Sequence, residues 1–414
     1  MILEKTVVKN FLKHYPIESL GTDFKIIFND RKVEEIKVGE NPEFTVILND
    51  KLDKKELFKS PSIVLGEAYM DKTIEVEGNF YKGLVMIMKI RKEFIEENTF
   101  LRNDFLPKFL PEFKLTKRSK PEKYDVSKEN QEKEIEAHYD IGNDFYKLWL
   151  DETMNYSCAY FEETDDSLYQ AQINKVNHII KKLHLEDGMS LLDIGCGWGG
   201  LLIEAAKRYN INGTGITLSE EQYESFKARI KKEGLQERLE AKLMDYRDLE
   251  DSGYLFDRVV SVGMIEHVGM ENYDLFLENV KSILKKKGVF LLHFISGHKE
   301  GGSDQWINKY IFPGGVLPSL REVVSKGVDK NLHIIDVESL RRHYVKTLLS
   351  WYENFLTEKE TVEEMFNERF VRMWELYLLV CAANFQIGGI DHHQITFTNG
   401  ANNELPITRK HLYC

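Results

Sequence analysis

The sequence predicts an α/β chain: a doubly wound, mostly parallel sheet with a helical cap, preceded by a smaller α+β domain. Three observations carry that expectation. From Glu132 onward, short apolar runs alternate with segments of helical apolar spacing, the pattern of parallel strands joined by crossover helices. The run LLDIGCGWGG (Leu191–Gly200) ends an apolar strand in a glycine turn and leads straight into the helical stretch LLIEAAKRY. Residues 1–120 follow a different rhythm of helix and alternating strands.

In MILEKTVVKNFLKHY, residues Ile2, Leu3, Val7, Val8, Phe11, Leu12 and Tyr15 have helical spacing, with a lysine-rich opposite face. FKIIF (Phe24–Phe28) and FTVIL (Phe44–Leu48) read as strands. LGEAYMDKTIEVEG (Leu65–Gly78) contains a turn and the alternating strand TIEVEG, and a helix follows over Tyr81–Glu97. Phe105–Lys123 reads as a linker. There Lys108, Lys114, Lys117, Arg118, Lys120 and Lys123 outnumber Glu112 and Glu122, and Phe105, Phe109, Leu110, Phe113 and Leu115 interleave with them. Two readings stand: a segment that touches anionic lipid headgroups, or a solvated linker docked on a neighbouring domain.

Past the linker, one helix carries EIEAHYDIGNDFYKLWL, and another at Ser167–Leu183 leads into the strand Ser190–Ile194. Further strands are expected at Ile211–Leu218, Leu239–Leu243, Phe256–Val262 and Val289–Phe294. Helices fall at Ser219–Glu233, opened by a capping serine and early carboxylates, and at Tyr273–Leu284. Such a sheet receives ligands at the carboxyl ends of its strands. Glu338–Phe385 is mostly helical and aromatic-rich and reads as a cap over one edge; HHQITFTNGANNELPITRKHLYC reads as a polar tail. The expected domains are therefore 1–120 and 121–414.

Composition narrows the function. A length of 414 residues allows two domains. A formal net charge of −12 argues against general nucleic-acid binding and makes any membrane contact local. Cys158, Cys196, Cys381 and Cys414 show no metal-ligand pairing, and the N-terminus has no secretory apolar region. Both features point to a reducing cytosol. No apolar run reaches the roughly 18 residues of a membrane-spanning helix.

The glycine loop is the chemical centre. Gly195, Gly197, Gly199 and Gly200 let backbone approach a ligand, and the following helix offers unpaired N–H groups. Gly195, Gly197 and Gly200 fit a dinucleotide fingerprint, but that reading expects an acid at the end of the next strand, where Thr217, Leu218 and Ser219 stand. The form D-x-G-C-G-W-G-G, with Asp193 in the strand end, resembles motif I of S-adenosylmethionine-dependent methyltransferases. That resemblance implies ribose and amino-acid contacts from Thr217, Leu218, Ser219 and Gln222. It also implies an adenine contact from Asp245 and Tyr246 after the third strand. An aspartate there is equally at home as a turn or helix cap.

EAHYDIGNDFYKLWLDETMNYSCAYF (Glu136–Phe161), SVGMIEHVG (Ser261–Gly269) and IFPGGVLPSL (Ile311–Leu320) together resemble the cyclopropane-fatty-acyl-phospholipid synthase family. GITLSEEQ (Gly215–Gln222) and LRRHYVKTLLSWYENF (Leu340–Phe355) extend the resemblance, which covers most of the chain from about His138. It implies a class I methyltransferase sheet and a methylene bridge added to unsaturated acyl chains of membrane phospholipids. Tyr156 and Ser157 join the implied cofactor contacts. The implied general base is bound bicarbonate, held by His138, Cys158, Glu266, His293, Tyr344 and the N–H of Ile295. A glutamate suits such a site because bicarbonate donates its own O–H to a carboxylate. The resemblance further implies a cytoplasmic enzyme that visits the inner membrane face, with residues 1–120 reaching lipid or forming a homodimer.

Other readings of these residues remain. Cys158 invites a covalent-nucleophile role, but a thiolate would compete for the methyl, so a neutral packing group is expected. Glu266–His267 resembles half of a metal site, and no metal is expected. Cys196 reads as small filler. Tyr156, Tyr160, Trp198, Phe294, Trp306, Phe312, Tyr344, Trp351 and Trp374 line an acyl pocket or form core. The same scaffold also serves methyl or methylidene branching, carrier-bound acyl substrates, or lipid and cofactor binding without catalysis.

Overall fold

A computed structural model describes Lys9, Leu12 and residues 21–29, 33–92, 141–298, 300 and 302–413. The predicted helix over residues 1–15 (Lys9 and Leu12 apart), the basic linker, His138 and Cys414 lie outside the described residues. The rest forms two compact units.

The first unit carries β1 (Phe24–Phe28), β2 (Glu34–Val38), β3 (Phe44–Leu48) and β4 (Ile74–Gly78) in the order β2-β1-β3-β4. β1 and β3 run parallel, and the other neighbours are antiparallel. EEIKV, which forms β2, alternates half-buried and exposed residues before its buried Val38. Phe24 stacks on Phe44 with ring centroids 5.7 Å apart, over a core shared with Val38 and Met86. Helices Lys54–Lys59, Pro61–Met70 and Phe80–Lys92 complete the N-terminal part.

Asp304–Tyr310 and Phe355–Gly389 belong to this same unit. Tyr69 donates to Glu375 at 2.8 Å, and Tyr310 and Lys309 bind Glu67 at 2.6 and 2.7 Å. The Glu338–Phe385 stretch, read as one cap, is thus divided. Helix Glu368–Gln386 buries Val371, Trp374, Leu378 and Ala382 in the first unit. Residues up to Asn354 stay with the second. The apolar faces that pair are some 300 residues apart, so local pattern could not reveal the division.

The second unit holds seven strands: β5 (Ser190–Ile194), β6 (Asn212–Thr217), β7 (Leu239–Leu243), β8 (Phe256–Val262), β9 (Leu284–Gly297), β10 (Leu332–Ser339) and β11 (Ile390–Asn399). Their order is β7-β6-β5-β8-β9-β11-β10. The first five are parallel, and β11 runs antiparallel to β9 and β10. Helices Leu168–Leu183, Gly200–Arg208 and Glu220–Lys232 pack into one apolar cluster. Helices Tyr273–Ile283 and Leu320–Asp329 pack into another. Strand order reverses between β5 and β8, which opens a crevice at their carboxyl ends.

The first eight residues of the stretch read as a polar tail, His392–Asn399, belong instead to β11, a buried internal strand. Ile395 and Phe397 point into the core, while His392, Gln394, Thr396 and Thr398 are buried on the other side. Polar residues in a sheet interior read as surface until their cross-strand partners are known.

Candidate active site

β5 delivers the chain to Gly195, where the N–H groups of Gly195 and Cys196 both donate to Ile216 O at 3.0 Å. Gly195, Gly197 and Gly199 follow with φ of +78°, +55° and +75°, a region that only glycine enters freely. The three differ in surroundings. A Cβ on Gly199 would fall 1.9 Å from the Phe226 ring and one on Gly195 2.8 Å from Met264. A Cβ on Gly197 would meet nothing within 4 Å. Gly197 therefore opens onto the pocket.

That pocket is lined by Tyr156, Ser157, Asp193, Gly195, Gly197, Thr217, Leu218, Gln222 and Tyr246, all expected from sequence. Thr217 donates to Gln222 Oε1 at 2.8 Å, joining the end of β6 to the next helix. Ser219 lies behind as that helix's cap, accepting the N–H of Gln222. Asp245 is not among the lining residues. Its carboxylate is held by Arg247, accepting from the backbone N–H at 2.8 Å and the guanidinium at 2.9 and 2.6 Å. It caps a short turn rather than lining the pocket.

Asp193 is buried, and its Oδ1 has no partner among the described residues. Burial raises its carboxyl to about 7, against the opposing charge of Lys175. Lys175 also lines the pocket, donating to Ser157 Oγ at 2.9 Å, and burial lowers its ammonium to about 8. Sequence reading missed it. The signal was its spacing, four residues from both Ala171 and Ile179 on the apolar stripe of its helix.

Two further sets of candidate residues lie near β8, β9 and β11, one around Glu266 and one around His293. Glu266 sits on a short turn after β8, with Oε1 accepting the N–H of Ile295 at 2.7 Å. Its Oε2 is buried without a partner among the described residues. Burial raises its carboxyl to about 7, partly offset by the Ile295 N–H. The Ile295 N–H, expected to face an anion, is thus held by Glu266. His293 is likewise committed: Nε2 lies 2.7 Å from His392 Nε2, and Nδ1 lies 3.0 Å from the Gln394 amide nitrogen. Burial first, then neighbouring positive charge, keeps both rings well below the usual imidazole range. Tyr344 packs edge-on against His392, centroids 5.0 Å apart. Cys158 is fully buried, 3.3 Å from Ala159 O, and burial holds its thiol far above the usual range.

Aromatic contacts run from the pocket toward His392. Tyr344 meets Trp351, Trp351 meets Tyr156, Tyr156 meets Tyr146, and Tyr146 meets Trp198, with centroids 5.3 to 6.1 Å apart. Trp306 and Trp374, also candidates, lie in the first unit. Among the described residues, no three acidic, histidine or cysteine side chains gather as metal ligands.

Comparison with known proteins agrees with this geometry. The family model described as mycolic acid cyclopropane synthetase matches residues 126–395, and a domain of unknown function, DUF7884, matches residues 8–99. The chain is 36% identical over 389 residues to a "Probable fatty acid methyltransferase" of Pseudomonas putida, covering 92% of this chain and 94% of that one. It is 43% identical over 273 residues to the cyclopropane-fatty-acyl-phospholipid synthase of Escherichia coli strain K12, covering 66% and 69%. The solved structure of the mycolic acid cyclopropane synthase CmaA1 complexed with SAH and CTAB is similar at a TM-score of 0.61 and 36% identity. That likeness covers 64% of this chain and 98% of that chain. With nearly two thirds of its length matched and its glycine loop at the switch point of the sheet, the chain belongs to the mycolic acid cyclopropane synthetase family, on the fold of the class I S-adenosylmethionine-dependent methyltransferases.

Proposed function

We propose that this protein uses S-adenosylmethionine to add a methylene bridge across the cis double bond of unsaturated acyl chains in membrane phospholipids, with bound bicarbonate as general base. The observation that carries this reading is the run of ring contacts that leads from Trp198 and Tyr156, which line the glycine-loop pocket, through Trp351 and Tyr344 to the buried His392 beside His293. In the reaction, one C–C bond forms to the methyl carbon as its S–C bond breaks. Loss of a proton from that methyl then lets the second C–C bond close the ring. When bound, S-adenosylmethionine supplies the electrophilic methyl and bicarbonate the base for that proton.

The chain's own residues suit both groups. Asp193 Oδ1, unpartnered among the described residues, accepts the cofactor's ammonium, and the bare face of Gly197 admits it. Glu266 Oε2, also unpartnered among the described residues, accepts the O–H of bicarbonate. The Ile295 N–H is then shared between Glu266 and the anion. The aromatic rings exclude water and offer π faces to positive charge. Cys158, held as a thiol, does not compete for the methyl.

Phospholipid as the substrate is supported by the name of the Escherichia coli relative. No described helix is long and apolar enough to cross a membrane. The contact proposed here is peripheral, at the inner face, by a homodimer whose N-terminal unit and basic segment 105–123 reach lipid. A second reading, a methyl or methylidene branch, is favoured by the Pseudomonas putida relative aligned with 92% of the chain.

The test is incubation with S-adenosylmethionine, bicarbonate and mono-unsaturated phospholipid vesicles, with the released fatty acids read by mass spectrometry and proton NMR. A gain of CH₂ with loss of olefinic protons and new high-field ring protons is expected. The same mass with a new methyl or methylidene signal moves the function to the second reading. No gain on vesicles, with turnover of carrier-bound acyl chains, removes phospholipid as the substrate.

A further inference from the structure

We propose that His392 is a positioning residue: it shares a single proton with His293 and, together with Gln394, holds His293 in its Nε2–H form. The proposal rests on the catalytic reading of the preceding section.

Antiparallel pairing of β9 with β11 sets His293 opposite Gln394 and Ile295 opposite His392. Both histidines are buried, and their Nε2 atoms lie 2.7 Å apart. A neutral imidazole carries one N–H. Two N–H groups cannot meet head to head at this distance, and neither can two lone pairs. One ring therefore donates through Nε2, and the other carries its proton on Nδ1. Gln394 decides which. Its amide nitrogen is 3.0 Å from His293 Nδ1, making that atom the acceptor. The proton of His293 then lies on Nε2, directed at His392. The proton of His392 lies on Nδ1, a buried atom with no partner among the described residues. The backbone of His392 is fixed too, its carbonyl accepting the N–H of Leu340 at 2.8 Å.

The consequence is specific. The N–H of His293 expected to meet the anion is committed to His392, and among the described residues the imidazole donor left without a partner beside it is His392 Nδ1–H. His392 thus decides both the tautomer of its neighbour and which ring offers an N–H.

The test combines NMR with kinetics on the full chain. With ¹⁵N-histidine labelling at pH 7, long-range proton–nitrogen correlation spectra are expected to show His293 with a protonated Nε2 and a bare Nδ1. H392Q, whose amide oxygen still accepts that proton, should keep the tautomer and turn over within about threefold of wild type. H392L should lose about tenfold or more in turnover, the scale seen when an orienting hydrogen bond is removed. Its S-adenosylmethionine dissociation constant should stay within about twofold, showing that the fold persists. A proton on Nδ1 of His293, or wild-type turnover by H392L, overturns the proposal. If the wild type turns over no unsaturated lipid, the catalytic reading falls, while the spectra still decide the tautomer lock.

Discussion

Glu266 Oε1 accepts the N–H of Ile295 at 2.7 Å, while Oε2 of the same carboxyl has no partner among the described residues. One oxygen anchors the side chain near the end of β9, and the other is buried with its lone pairs open. A buried acceptor left open is costly unless a ligand completes it. Glu266→Gln keeps the shape and removes the charge. Turnover should fall by about 10²- to 10⁴-fold, the usual range for a positioned acid–base group. Cofactor affinity by titration calorimetry should be unchanged. Turnover equal to wild type removes Glu266 from the reaction.

The same carboxyl makes stability depend on pH. Burial raises Glu266 from 4.5 to about 7, so the folded protein holds this proton more tightly than the unfolded chain does. Its contribution is fully present below the unfolded value and is lost as pH rises through about 7. Glu266→Gln removes that dependence. In urea unfolding, the variant should gain on wild type between pH 5 and pH 8 by roughly 2 kcal/mol. A difference that stays flat across this range shows that Glu266 is not buried as an acid.

What the sequence made legible was local. The strand, glycine turn and helix at Leu191–Gly200 are short-range signals, and Asp193, Gly195, Gly197, Thr217, Leu218 and Gln222 follow from them onto one pocket. β11 was not legible, because HHQITFTN gains its buried character from β9, about a hundred residues earlier. Without that pairing, His392 and Gln394 read as polar tail. Lys175 was hidden for a related reason. Its helix buries Gln172, Asn174, Lys175, His178 and Lys182 as well as its aliphatic residues, so polarity did not mark the solvent face. The partner of Asp245 was not legible, because what a carboxylate after a strand binds depends on its neighbour, here Arg247.

The glycine loop separates folding from binding. At Gly199, a methyl would meet the Phe226 ring at 1.9 Å in a left-handed backbone. Gly199→Ala should lower stability by more than about 2 kcal/mol, from backbone strain plus overpacking. At Gly197 the same backbone region has open space. Gly197→Ala should cost about 1 kcal/mol in thermal or urea unfolding. It should weaken S-adenosylmethionine binding at least about tenfold, equivalent to about 1.4 kcal/mol, because the methyl fills the space left for ligand. Full affinity in Gly197→Ala means that the cofactor does not lie against this face.

Lys175 gives the sharpest separation of charge from shape. Its ammonium is buried 2.9 Å from Ser157 Oγ, and its charge opposes the burial that raises the pKa of Asp193 to about 7. Lys175→Met keeps the unbranched stem and removes the charge. Asp193 should then titrate higher and be less ionised at pH 7, leaving a weaker partner for the cofactor's ammonium. For a rise of about one unit, calorimetry should show roughly fivefold weaker S-adenosylmethionine binding at pH 7, most of it recovered at pH 8.5. Stability should not fall, because a thioether fills the site without the desolvation penalty of a buried charge. Asp193→Asn should bind weakly at both pH values, and adding Lys175→Met to it should weaken binding no further, since the two residues act through one interaction. Equal weakening of Lys175→Met at pH 7 and pH 8.5 means that Lys175 serves the pocket by its shape, and that Asp193 is ionised without it.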